Sequence, residues 1–176
     1  SILTSNFNPL LFQNLFNFSL FFGNLYLLTW SYSFIGQSKK KVVWNSDACS
    51  NAAKNGHLDV LKYLHQNGCP WNERACSNAA ENGHLEVLQY LHHNGWHWDE
   101  KTCSRAALHG HLEVLKYLHQ NGCPWDENAC YHAAEGGHLY VLQYLHENGC
   151  PWDEDACSDA AKNGHLEVLK YLHQNG

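Results

Sequence analysis

The sequence predicts an all-α fold, a solenoid of five helix-turn-helix repeats, and three observations carry that prediction. Trp44, Trp71, Trp98, Trp125 and Trp152 stand 27 residues apart with no insertion or deletion between them. Each repeat holds two short stretches with small or apolar residues at helical spacing, and each stretch stops at a Gly. Helices of about ten residues cannot bury their apolar faces alone, so every unit must stack on its neighbours. The array therefore occupies residues 44–176, as units 44–70, 71–97, 98–124, 125–151 and 152–176, behind a separate segment, 1–43.

Within a unit, the Trp is counted as position 1. Asn or Asp at position 2 (Asn45, Asn72, Asp99, Asp126, Asp153) is a helix N-cap type. Glu at position 3 of several units suits the positive end of a helix dipole, so a first helix starts there. Its Ala-Cys-x-x-Ala-Ala core (Ala156, Cys157, Ala160 and Ala161 in the last unit) lets another helix approach closely, and it stops at Asn163-Gly164. The second helix begins at His165, presents Leu166, Val168, Leu169 and Leu172 as an apolar stripe, and ends before Gly176. Pro70, Pro124 and Pro151, each just past a second helix, are the only prolines after residue 9.

This unit resembles an ankyrin repeat over residues 44–176. Gly83-His84-Leu85-Glu86-Val87-Leu88-Gln89-Tyr90-Leu91 matches the ankyrin second helix, and Asn-Gly-Cys-Pro-Trp-Asp stands where ankyrins carry a Gly-Ala-Asp-Val-Asn-like stretch. Two departures are visible: x-A-C-S-x-A replaces the T-P-L-H-x-A signature, and the unit has 27 residues in place of about 33. The resemblance implies that the hairpin between units is shortened to a tight Cys-Pro-Trp turn. Compact C-P-W-D-E units are similar to the arrays of giant DNA viruses and some protists. The family implies partner binding, with the first helix lining the concave surface.

Charge divides the chain. Residues 1–43 carry three Lys and no acid, whereas 44–176 carry a net −9, which argues against nucleic acid as a partner because phosphate binding needs a clustered basic face. No nucleophile elbow, phosphate-binding Gly-rich loop or isolated Cys/His arrangement is present, so neither an enzyme, a small-molecule substrate nor a cofactor is expected.

The five copies also differ in an ordered way. Ala at 9 and 10, Leu at 15, Val at 17, Leu at 18 and 21, and Tyr at 20 are invariant and read as stacking positions. Variation gathers at positions 4, 7, 8 and 11, which share one face of the first helix and so are expected outside the uniform core. The sharpest departures are Arg105, Leu108 and His109 in the third unit and Tyr131 and His132 in the fourth. Arg and Tyr are enriched at binding hot spots, so these five are the candidate partner-binding residues. Drift at exposed positions is the bland alternative. Tyr140, which replaces an acid at position 16, is expected on the outer face.

The fourteen His and eight Cys invite a metal- or redox-sensing reading, but the repeat explains most of them. His at position 14 is expected to hydrogen-bond the inter-helix turn and neighbouring units, and position 22 supplies five more. Equivalent side chains in stacked units lie roughly 10 Å apart, too far to share one zinc, whose ligands sit about 2 Å from it. No metal is therefore expected. Cys at position 6 reads as a buried thiol. Cys69, Cys123 and Cys150 each precede a position-6 Cys by seven residues, but Trp96-His97 replaces Cys-Pro in the second unit, so pairing is not a rule of the array. Reduced thiols and an intracellular, cytoplasmic setting follow.

Residues 9–36 contain no charge and are followed by Lys39-Lys40-Lys41, which fits a membrane anchor with the array on the cytoplasmic side. Gln13, Asn14, Asn17 and Asn24 dilute that stretch. With no Met in the chain, it equally fits translated sequence upstream of the true frame, or a hydrophobic cap on the first unit. At the other end, Leu166, Val168 and Leu169 show no polar replacement, so the array is expected to continue and the fifth unit to expose an apolar face.

Overall fold

The computed structural model describes residues 44, 46–72, 74–98, 100–152 and 154–176, together with 19, 23–27 and 29. The described array is a row of helix pairs: α1 (Ser46–Lys54) and α2 (Leu58–Gln66), α3 (Arg74–Glu81) and α4 (Leu85–His93), α5 (Glu100–Leu108) and α6 (Leu112–Gln120), α7 (Glu127–Glu135) and α8 (Leu139–Glu147), α9 (Glu154–Lys162) and α10 (Leu166–Asn175). The expected caps at Asn72 and Asp126 form: each side chain accepts the backbone N–H two residues on, at 3.1 Å. Asn45, Asp99 and Asp153 lie outside the described residues.

The second helices start one residue later than the sequence suggests, at Leu instead of His. The His before each adopts φ near −85° and makes no capping bond with its side chain. Its ring reaches the preceding unit instead. His84, His111, His138 and His165 each donate from Nε2 to the last carbonyl of the previous first helix (Lys54, Glu81, Leu108 and Glu135) at 2.9–3.0 Å. These carbonyls have no partner within their own helix, so the histidines satisfy them. The glycine in the preceding unit's turn (Gly56, Gly83, Gly110 and Gly137) is required for this fit. At Gly110 φ is +75°, and the His138 ring lies 2.5 Å from where a Cβ would stand.

A second row joins units through position 22. The hydroxyls of Tyr90, Tyr117, Tyr144 and Tyr171 share hydrogen bonds with Nδ1 of His65, His92, His119 and His146 in the preceding unit, at 2.8–2.9 Å. Those imidazoles also pack on Trp71, Trp98, Trp125 and Trp152, with ring centroids 3.9–4.8 Å apart.

The core is one continuous layer of Ala and Cys from the first helices and Val and Leu from the second. Ala at 9 and 10 is fully buried in the first four units, as are Leu at 18 and 21, whereas Leu at 15 and Tyr at 20 are partly covered. Small Ala side chains let the first helices pack on one another far more extensively than the second helices do, separated as those are by His, Tyr and Trp. The first-helix row is therefore the more tightly packed side of the stack. In the fifth unit Ala161 and Leu166 are exposed, the apolar face the sequence predicts.

The described residues ahead of Trp44 repeat the same turn. Asn24 N–H donates to Ser19 O at 2.9 Å and Leu25 N–H to Gly23 O at 3.0 Å, matching His57 to Ala52 and Leu58 to Gly56. Gly23 has φ +63°, and the His57 ring fills the space its Cβ would need, as His84 does at Gly56. Gly23 precedes Gly56 by 33 residues, against 27 between array glycines. No helix among the described residues is long and apolar enough to cross a membrane, and most of the candidate anchor, 9–36, lies outside them.

Candidate partner-binding surface

The four variable positions do not share one environment. Position 4 (Asp47, Arg74, Lys101, Asn128, Asp155) is exposed in every unit. Position 7 corrects the expectation: Ser50, Ser77 and Ser104 are at most 9% exposed. The next unit covers this position, and the Ser50 hydroxyl donates to the Asn72 side chain that caps α3. Only a small residue fits beneath that cover. Tyr131 must therefore extend toward the neighbouring helix, where Asp159 of α9 acts on its phenol.

The Asp159 carboxylate, with burial and the Glu135 and Asp155 charges, holds the Tyr131 phenol protonated and pushes its pKa up to about 12. His132, beside it, meets Tyr131 edge to face at 5.1 Å and bonds Glu135 Oε2 through Nδ1 at 2.9 Å. Lys162 approaches Asp159 at 3.8 Å. Tyr131, His132, Glu135 and Asp159 thus form one connected set spanning α7 and α9, acidic in balance.

Arg105 forms a second set. Its guanidinium pairs with Glu81 on α3, linking the third unit to the second, and its side chain is 47% exposed. Leu108 is half-buried at the end of α5, where its carbonyl accepts His138. His109 lies past the helix, stacked 6.3 Å from His111, at the turn edge of the array instead of on the helix face. Of the five candidates, four thus lie on the first-helix row and His109 lies beside it. Tyr140 is 75% exposed on the second-helix side.

Sequence reasoning missed Glu81 and Asp159 as partners of Arg105 and Tyr131. The signal was present: positions 8 and 11, or 7 and 8, of adjacent units carry complementary groups. It also passed over a cleft of about 410 Å³ where Trp96-His97 replaces Cys-Pro, in which Trp96 packs on Trp71 at 4.6 Å.

Burial in the rows holds the His92, His111 and His138 imidazoles below their usual pKa and pushes the phenols of Tyr90, Tyr117, Tyr144 and Tyr171 up. Among the described residues no group of three or more His, Cys, Asp or Glu is placed to hold a metal ion.

Two family models match the chain. One, described as ankyrin repeats (3 copies), covers residues 103–176. The other, described as ankyrin repeats (many copies), covers 49–91 and 76–119. Together they run over the described helix pairs from 49 to 176. No curated protein matches the chain.

Proposed function

Because the chain belongs to the ankyrin repeat family, whose repeats are generally protein–protein interaction modules, we propose that it is a non-catalytic scaffold that binds another protein along its first-helix row, centred on Arg105, Leu108, Tyr131 and His132, with His109 at the margin. The observation that supports this most is the position of Tyr131. Four copies keep a Ser at position 7, and the one Tyr emerges between α7 and α9 beside His132. An amphipathic ring at the centre of a face is the usual anchor of an interface. Glu135, Asp155 and Asp159 surround it, so a partner segment carrying basic side chains fits best. The compact 27-residue unit places the chain, on this reading, with the short-hairpin arrays of giant DNA viruses and protists.

The test is the affinity of the array for a protein it captures, with Arg105→Ala and Tyr131→Ala combined and Lys62→Ala on the second-helix side as control. The combined variant should bind at least tenfold more weakly, about 1.4 kcal/mol, and the wild-type affinity should fall with added salt. Unchanged affinity in the combined variant would remove these residues from the interface.

The alternative of a membrane-tethered scaffold rests on the uncharged stretch 9–36. The turn at Gly23 that packs on His57 supports the cap reading instead, with residues 19, 23–27 and 29 placed like the turn of a further unit on the row. Carbonate extraction should release the full chain from membranes, and retention in the pellet would restore the anchor.

A further inference from the structure

The cysteines occupy positions 6 and 26 of the unit. Along the chain, position 26 is nearest the next unit's position 6, seven residues away, but the fold brings together the two cysteines of the same unit. Cys49 Sγ lies 2.8 Å from Cys69 Sγ, and Cys103 Sγ lies 2.8 Å from Cys123 Sγ. In the fourth unit the same two positions adjoin: the Cys130 thiol donates to the Cys150 carbonyl at 3.7 Å, and the Cys150 thiol to the Asp126 carbonyl at 3.2 Å. The Cys49–Cys69 and Cys103–Cys123 sulfurs are each less than an ångström from the roughly 2.05 Å of a sulfur–sulfur bond.

We propose that units one, three and four each carry an oxidisable dithiol, which a two-electron oxidant of the peroxide class converts into an intra-unit disulfide, Cys49–Cys69, Cys103–Cys123 or Cys130–Cys150. The position-6 sulfur sits on the first helix, and the position-26 sulfur in the turn that leaves the second helix. One bond therefore fastens both helices of a unit without either leaving its place.

The two sulfurs have different roles. Cys69, Cys123 and Cys150 are 3–4% exposed and sit in the turns, whereas Cys49, Cys103 and Cys130 are fully covered. The S–H of Cys49 donates to Cys69 and holds the Cys69 thiol below its usual pKa, while that bond and then burial push Cys49 up; Cys150 and Cys130 divide the same way. The outer sulfur, Cys69 or Cys150 and, by its place in the same turn, Cys123, is thus the one that attacks peroxide as a thiolate. Its sulfur takes one oxygen as the O–O bond breaks, giving a sulfenic acid and a hydroxide that leaves as water. The inner sulfur then attacks that sulfur and the S–O bond breaks. The hydroxide expelled leaves as water with the inner thiol's proton. In sum, two thiols and one peroxide give one disulfide and two waters.

The array contains its own control. Trp96 stands at position 26 of the second unit, so Cys76 has no such cysteine opposite it, and Cys157 has none within residues 152–176.

Oxidise the full native chain with hydrogen peroxide, block the remaining thiols with N-ethylmaleimide, and map the cross-links by mass spectrometry. The expected result is three cross-links, each between cysteines twenty residues apart, with Cys76 and Cys157 alkylated. The thermal midpoint should rise on oxidation and return with dithiothreitol, because each bond restricts the unfolded chain. Alkylation of all eight cysteines after oxidation would overturn the proposal. So would cross-links at seven-residue spacing, or sulfinic acid without a cross-link. Cys49→Ser should abolish the first cross-link alone; should that variant unfold, the wild-type map still decides.

Discussion

Two surfaces of the array are built from the same helices and carry opposite kinds of sequence. At the inter-helix turns, every unit repeats Gly-His-Leu, and His84, His111, His138 and His165 each make the same bond to the unit before. Along the first-helix row, Arg105 and Tyr131 appear once each, and their partners Glu81 and Asp159 are just as local. The difference follows from what each side chain faces. A group that must satisfy an orphan helix-end carbonyl has one solution, repeated in each unit, whereas a group at the rim of a stack has many. Identity among copies therefore marks stacking, and variation gathers at the rim, the surface proposed for a partner.

The sharpest way to break that contrast is His138→Ala. It leaves the Leu108 carbonyl without its donor and opens a space against Gly110, so the array should lose about 2–3 kcal/mol in chemical denaturation. His132→Ala, six residues earlier on the variable row, should change stability by about 0.5 kcal/mol or less. Equal losses from the two would dissolve the distinction between the surfaces.

Acid sharpens it further. Burial, together with the neighbouring imidazoles His84, His109, His138 and His165, holds His111 and His138 below their usual pKa, and burial with His93 and His97 does the same to His92. In the unfolded chain these groups take protons near pH 6.5, so the unfolded state binds protons first as the pH falls. The stability they confer is fully present above that value and is lost below it. Denaturation midpoints should drop between pH 7.5 and 5.5, and His138→Gln, which keeps an N–H donor but does not titrate, should flatten part of that drop. A midpoint unchanged across this range would show that the row does not titrate with folding.

The period, the helix pairs and the Ala-Leu core were legible in the sequence because each unit states the same pattern again, so chance matches cancel. Three things were less legible. The variable face was drawn too wide at position 7, since Ser50, Ser77 and Ser104 look like surface residues until the next unit is stacked over them. The thiol pairs were hidden because proximity along the chain pointed to Cys69 and Cys76, while the return of the second helix carries Cys69 to Cys49. The 33-residue step from Gly23 to Gly56 was masked by the loss of the Trp period and of the His, whose place Asn24 takes by accepting the Leu27 N–H at 2.9 Å. Each case depends on a contact between units or between helices, which a one-dimensional pattern does not contain.

The smallest expected effect is the most discriminating for the variable row. Arg105 and Glu81 bridge the second and third units, and the bridge could be read as one more stacking device. Their side chains are 47% and 28% exposed, so water and salt screen the pair, and holding two long side chains in one geometry offsets much of the attraction. A double-mutant cycle with Arg105→Ala and Glu81→Ala should return a coupling of about 0.5 kcal/mol or less. A coupling well above about 1 kcal/mol would make the pair part of the stack, and Arg105 would then be retained for stability and not for a partner. With the small value, the guanidinium is left available at little cost to the fold, and exchanging Glu81 for an acid on another protein becomes energetically cheap.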